Sequence, residues 1–206
     1  MSHDTWLHRG VRAVVRSLVN TRITPNHITT ARLVTGLLSA ALFAAGGFTA
    51  RYYGAACFLL SMLLDRADGE LARISGKTSP WGHQYDLVSD ALSNALVFVG
   101  IGIGLRASQF GWAAVPMGII AGVAVVLILR FVMHVEALHG ARAAEMRATP
   151  RFDPDDAMVL IPVAAVLDLL QPILAAASIG APLYAWLGYR YRWRGMLTGR
   201  TKRKLS

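Results

Sequence analysis

Residues 54–90 read GAACFLLSMLLDRADGELARISGKTSPWGHQYDLVSD. The stretch opens apolar, from Gly54 to Leu64, as a bilayer-crossing helix does. It then meets Asp65 and Asp68 before a crossing of about 20 residues is complete. A turn containing Gly76, Pro80 and Gly82 follows, and the next apolar helix carries Asp86 and Asp90 in its opening turns. Asp65 and Asp68 are spaced i, i+3 and Asp86 and Asp90 i, i+4, so each pair shares one helical face. The short turn makes the two helices antiparallel neighbours and lets the two pairs face each other across a polar gap. Carboxylates at membrane depth are costly unless paired, hydrated or metal-bound. Arg66 and Arg73 cannot neutralise all four.

The rest of the chain fits that setting. Of 206 residues, 54% are hydrophobic and only 16% charged, against about 25% charged in ordinary soluble domains. Mean hydropathy is +0.44, which excludes a disordered chain. A single cysteine, Cys57, excludes a disulfide framework and a cysteine-ligated zinc site. The net charge of +9 reads as attraction to anionic lipid, with no nucleic-acid partner expected.

Six apolar stretches are predicted, at about 27–48, 52–75, 80–105, 112–138, 155–168 and 171–190. The fifth is short for a crossing. Before them, residues 5–19 set Arg9, Arg12 and Arg16 opposite Trp6, Val11, Val14, Val15 and Leu18, the pattern of an interfacial amphipathic helix. The expected fold is therefore an all-α membrane protein in a single domain over 1–206: an interfacial helix at 1–22, a six-helix bundle at 23–190 and a basic cytoplasmic tail at 191–206. Charge supports this. Arg9, Arg12, Arg16 and Arg22, then Arg66, Arg73 and Lys77, then Arg142, Arg147 and Arg151, and then the tail all fall on one side, whereas Arg51 and Arg106 fall on the other. Positive residues concentrate on the cytoplasmic side, so both termini and the carboxylates are expected there.

All-oxygen ligation without nearby cysteine favours a hard cation, Mg²⁺ or Mn²⁺. A proton or cation pathway in a transporter would use similar carboxylates.

The ordered pattern Asp65-x2-Asp68-Gly69-x2-Ala72-Arg73-x8-Gly82-x3-Asp86-x3-Asp90 resembles, at every fixed position, the signature of the CDP-alcohol phosphotransferase family of integral membrane enzymes. Pro25-Asn26-His27-Ile28-Thr29 is similar to the Pro-Asn-x-x-Thr that often opens the family's first span. The resemblance implies transfer of a phosphatidyl group from CDP-diacylglycerol to a small alcohol, with release of CMP. It implies Asp65, Asp68 and Asp86 as metal ligands, with Asp90 completing a two-ion site and acting as catalytic base. Gly69, Ala72, Arg73 and Gly82 would form the donor pocket, joined by Asn26, Thr29 and Ser79, Thr78 competing with Ser79. A bacterial cytoplasmic membrane and a homodimer are expected from the same resemblance.

The acceptor stays open. The third stretch opens with neither the Asp-Pro-x-x-Asp-Lys of glycerol-phosphate acceptors nor the Asp-Ser-x-x-Asp-Arg of the inositol-phosphate type. Arg130, His134, Arg151 and Arg190 are candidate acceptor contacts, Arg130 because it lies inside an apolar run. Two alternatives stand beside this reading: a cation-coupled transporter, and transfer from a soluble CDP-alcohol to a lipid acceptor.

Overall fold

The computed structural model describes the backbone of residues 15, 17–19, 21–139 and 158–202, and side chains among these up to 131 and over 158–190. Its helices are α1 (Pro25–Ala45), α2 (Phe48–Ser75), α3 (Pro80–Gly104), α4 (Ala114–His139), α5 (Leu160–Val166) and α6 (Leu170–Lys202). Two short 3₁₀ turns, Leu105–Ala107 and Gly111–Ala113, join α3 to α4. No strand occurs among the described residues.

Local chemistry explains the boundaries. Pro25 starts α1, where a missing N–H is harmless, and the Thr24 N–H donates to His27 Nδ1 at 3.3 Å. Gly76 ends α2 in the left-handed region at φ 66°, a conformation that a Cβ disfavours. Ser79 caps α3 by accepting the Gly82 N–H at 2.9 Å. The predicted turn between the two acidic helices is thus built from one left-handed glycine, one cap and one proline.

α1 packs against both α2 and α3, α3 against α4, α4 against α6, and α2 against α5. Phe43, Phe58, Val97, Phe98, Ile101, Ile161 and Leu174 form the main core. Small residues bring the backbones close. A Cβ on Gly100 would run into the Ala40 carbonyl, and one on Gly122 would lie 2.7 Å from the Ala95 carbonyl oxygen. These contacts lie within one chain and pack α3 on α1 and α4 on α3.

Among the described residues, four helices are long and apolar enough to cross a membrane: Pro25–Ala45, Pro80–Ala107, Gly111–Phe131 and Leu170–Arg190. The expected second and fifth crossings do not meet that measure. α2 is long enough at 28 residues, but Asp65, Arg66, Asp68, Glu70 and Arg73 make its second half polar. α5 has 7 residues, about 10 Å of helix, and residues 140–157 before it lie outside the described part. α6 continues as helix through Lys202, into the expected basic tail.

Most of the expected interfacial helix, residues 1–14, lies outside the described residues. Val15, on the expected apolar face of that helix, is fully buried, packed with Ile28 and Leu71. Leu64 and Ala67 of α2 complete the apolar surface around it.

Candidate active site

Three helix ends meet on one side of the bundle. α1 contributes Asn26, Thr29 and Arg32, the second half of α2 contributes Asp65, Asp68, Gly69 and Ala72, and the opening of α3 contributes Gly82, Asp86 and Asp90. One carboxylate oxygen from each of Asp65, Asp68 and Asp86 lies within 4.8 Å of the others. That separation suits a shared cation ligated at about 2–2.6 Å by each oxygen.

Asp68 is 3% exposed and accepts the Thr29 hydroxyl through Oδ2 at 2.7 Å. Thr29 therefore fixes which way the least accessible of the three carboxylates points. Asp90 stands outside the three-oxygen group. Its Oδ1 accepts from Asn94 Nδ2 at 2.7 Å and pairs with Arg32 Nη2.

Arg32 was absent from the expected site. It is 2% exposed, with Nη1 2.6 Å from Asp65 Oδ1 and 2.7 Å from Asp86 Oδ1. One guanidinium thus touches carboxylates from α2 and α3 while rooted in α1. The sequence carried a signal for it: an arginine inside an apolar span needs an anion, and Arg32 lies three residues after Thr29, on the same helical face.

Beside the carboxylates is a cleft of about 190 Å³, lined by Pro25, Asn26, Thr29, Asp68, Gly69, Ala72, Lys77, Thr78, Ser79, Gly82, His83 and Asp86. Most expected donor-pocket residues are here. Gly69 has nothing within 4 Å of where a Cβ would stand, so that face of α2 stays open. A Cβ on Gly82 would lie 2.8 Å from Asn26 Oδ1 and 3.0 Å from Ser79 Oγ, so glycine lets α3 approach α1. Lys77 and His83 are additions, one from the turn and one a helical turn before Asp86. Thr78 and Ser79 both line the cleft.

Arg73 is not brought into it. Its side chain is 65% exposed and pairs with Glu70 at 2.5 Å. Of the acceptor candidates, Arg130 and Arg190 also lie outside the cleft lining. Arg130 is exposed on α4, and the exposed Arg190 stacks over Trp186 at 5.0 Å. The His134 side chain and the whole of Arg151 fall outside the described parts.

Residues 22–187, which include all three helix ends and the cleft, match the CDP-alcohol phosphatidyltransferase family. The chain belongs to that family. CDP-alcohol phosphatidyltransferases are transferases, so the carboxylate cluster sits in an enzyme fold. An 87-residue stretch is 32% identical to the bifunctional IPC transferase and DIPP synthase of Rubrobacter xylanophilus, covering 42% of this chain and 19% of that relative. The fold is similar to that of Mycobacterium tuberculosis phosphatidylinositol phosphate synthase (PgsA1) with CDP-DAG bound, with TM-score 0.54 and 22% identity over 84% of this chain and 96% of the other. The same synthase in complex with manganese and citrate gives TM-score 0.54 and 21% identity, over 83% and 91%.

Proposed function

We propose that this chain transfers a phosphatidyl group from CDP-diacylglycerol to the hydroxyl of a small polar alcohol and releases CMP, as a step of phospholipid synthesis. The observation that carries the reading is the convergence of Asp65, Asp68 and Asp86 within 4.8 Å beside a cleft whose wall is thinned at Gly69, Ala72 and Gly82.

The donor set is all carboxylate, which suits a hard divalent cation. Asp65, Asp68 and Asp86 would hold one ion, and Asp86 with Asp90 would complete a site for two. Mg²⁺ or Mn²⁺ bound there supplies positive charge that neutralises the diphosphate and polarises the attacked phosphorus. Thr29 holds Asp68 in its ligating orientation. Asn26, Ser79 and Lys77 line the cleft as hydrogen-bond and charge partners for the donor's nucleotide diphosphate. Asp90 takes the proton of the acceptor hydroxyl as its oxygen bonds to the phosphatidyl phosphorus. The bond from that phosphorus to the CMP oxygen breaks, and CMP leaves with the electron pair.

In this reading the chain crosses the membrane six times behind an interfacial helix. α2 crosses with its acidic half at the cytoplasmic face, where the positive residues gather. It acts as a homodimer in a bacterial cytoplasmic membrane. Arg130, His134, Arg151 and Arg190 are proposed acceptor contacts. The similarity to a phosphatidylinositol phosphate synthase supports including phosphorylated alcohols among the acceptors tested.

The test is CMP release by purified protein in detergent, given CDP-diacylglycerol and Mg²⁺ or Mn²⁺. Serine, glycerol 3-phosphate, inositol and inositol 1-phosphate are supplied separately, and CDP-ethanolamine with diacylglycerol forms a further arm. Acceptor-dependent CMP that vanishes with Asp90→Asn supports the reading and names the alcohol. CMP only from the soluble CDP-alcohol would reverse the roles of lipid and headgroup. No CMP from any arm would contradict the reading.

A further inference from the structure

The Arg32 guanidinium is buried, and its Nη1 and Nη2 reach Asp65, Asp86 and Asp90 from a single helix position. Its backbone is held as well, since Ser61 Oγ donates to the Arg32 carbonyl at 3.0 Å. Asp65 and Asp86 therefore belong both to the three-oxygen cluster with Asp68 and to the Arg32 pair. Asp68 is held instead by Thr29, and Asp90, outside the cluster, pairs with Arg32.

A second divalent ion at Asp86 and Asp90 would stand in contact with the guanidinium and be repelled by it. With Arg32 and one divalent ion in place, the four carboxylates keep a net negative charge. The donor's diphosphate is anionic too, so it gains from arriving with further positive charge. A planar guanidinium forks onto phosphate oxygens as readily as onto carboxylates. Arg32 is also one turn along α1 from Thr29, which lines the cleft.

Building on the phosphatidyl-transfer reading, we propose that Arg32 is a positioning residue that holds the seat of the second cation. The site takes one divalent ion without donor, anchored on Asp68 and shared with the guanidinium at Asp65 and Asp86. It takes a second only when the donor's diphosphate draws the guanidinium off Asp65, Asp86 and Asp90. Donor and second ion then promote each other's binding by the same factor.

The experiment titrates Mn²⁺ into the full chain in detergent, with and without CDP, following bound metal by equilibrium dialysis and its spin coupling by EPR. The expected result is about one tightly held, uncoupled Mn²⁺ per chain without CDP and about two, spin-coupled, with it. The second ion is tightened about tenfold or more by CDP. Arg32→Gln takes the coupled pair without CDP, and Arg32→Lys behaves as the native chain. The inference is overturned if native protein binds two Mn²⁺ without CDP, or one with and without it. It is also overturned if folded, monodisperse Arg32→Gln stays at one. If Arg32→Gln does not fold, the native titration decides. Two ions without CDP in protein that still releases CMP would reject this role for Arg32 alone. Neither Mn²⁺ nor CDP binding would reject the phosphatidyl-transfer reading with it.

Discussion

Thr29 and Asp68 lie 39 positions apart and meet through a buried hydrogen bond of 2.7 Å. The opening turns of α1 thereby set the orientation of a carboxylate on α2. A hydroxyl behind a ligand fixes its direction, and removing such a partner weakens metal binding about ten- to a hundredfold. Thr29→Val keeps the side-chain shape without the donor. Mn²⁺ affinity, measured by EPR titration, is expected to fall by that range while thermal stability changes little. An unchanged affinity would remove Thr29 from the site.

Gly82 lies where a Cβ would stand 2.8 Å from Asn26 Oδ1. Gly82→Leu pushes α3 off α1 at the cleft, and overpacking of this kind costs about 1–3 kcal/mol. KM for CDP-diacylglycerol is expected to rise by roughly tenfold or more, the conversion being about 1.4 kcal/mol per factor of ten. The check is initial-rate kinetics at saturating acceptor.

Lys77 lines the cleft from the turn between the two acidic helices. If it meets the donor's phosphates, Lys77→Gln removes a charge-assisted hydrogen bond worth about 1.5–3 kcal/mol. Donor KM then rises at least about tenfold, and added salt, which already screens such a contact, affects the variant less than the native chain. A donor titration at two ionic strengths reads both effects.

Gly100 and Gly180 form a matched pair for testing helix packing. A Cβ on Gly100 collides with the Ala40 carbonyl, whereas one on Gly180 meets nothing within 4 Å. Gly100→Val is expected to lose about 1–3 kcal/mol of stability and to lower Tm in detergent. Gly180→Val should leave Tm close to native. Equal effects would mean that the α1–α3 approach is not what holds this end of the bundle.

The acidic turn was legible because its signals are local. Spacing within one helix fixes a shared face, and Gly76, Ser79 and Pro80 mark a helix end and a helix start that need no distant partner. Asp65, Asp68 and Asp86 follow from that turn alone. Arg32 did not, because its meaning depends on partners up to 58 positions away, and no periodicity reports which side chain an arginine will reach. The placing of Arg73 was hidden for the opposite reason. Its neighbour Glu70, one turn back, competes for it locally and turns it outward. The fifth crossing is the least legible, because apolar composition over 155–168 does not distinguish a spanning helix from a short one such as α5. That helix ends in a turn where Asp168 adopts φ 62° and pairs with Arg51.

The most direct measurement is the product balance of a single reaction. Purified protein receives CDP-diacylglycerol, Mn²⁺ and the acceptor that gives turnover, and CMP and the new phospholipid are quantified together. Equal amounts of CMP and phospholipid are expected, with both falling to background in EDTA and in Asp86→Asn. CMP accompanied by phosphatidic acid instead of a headgroup lipid, or turnover that survives EDTA, would contradict metal-dependent phosphatidyl transfer.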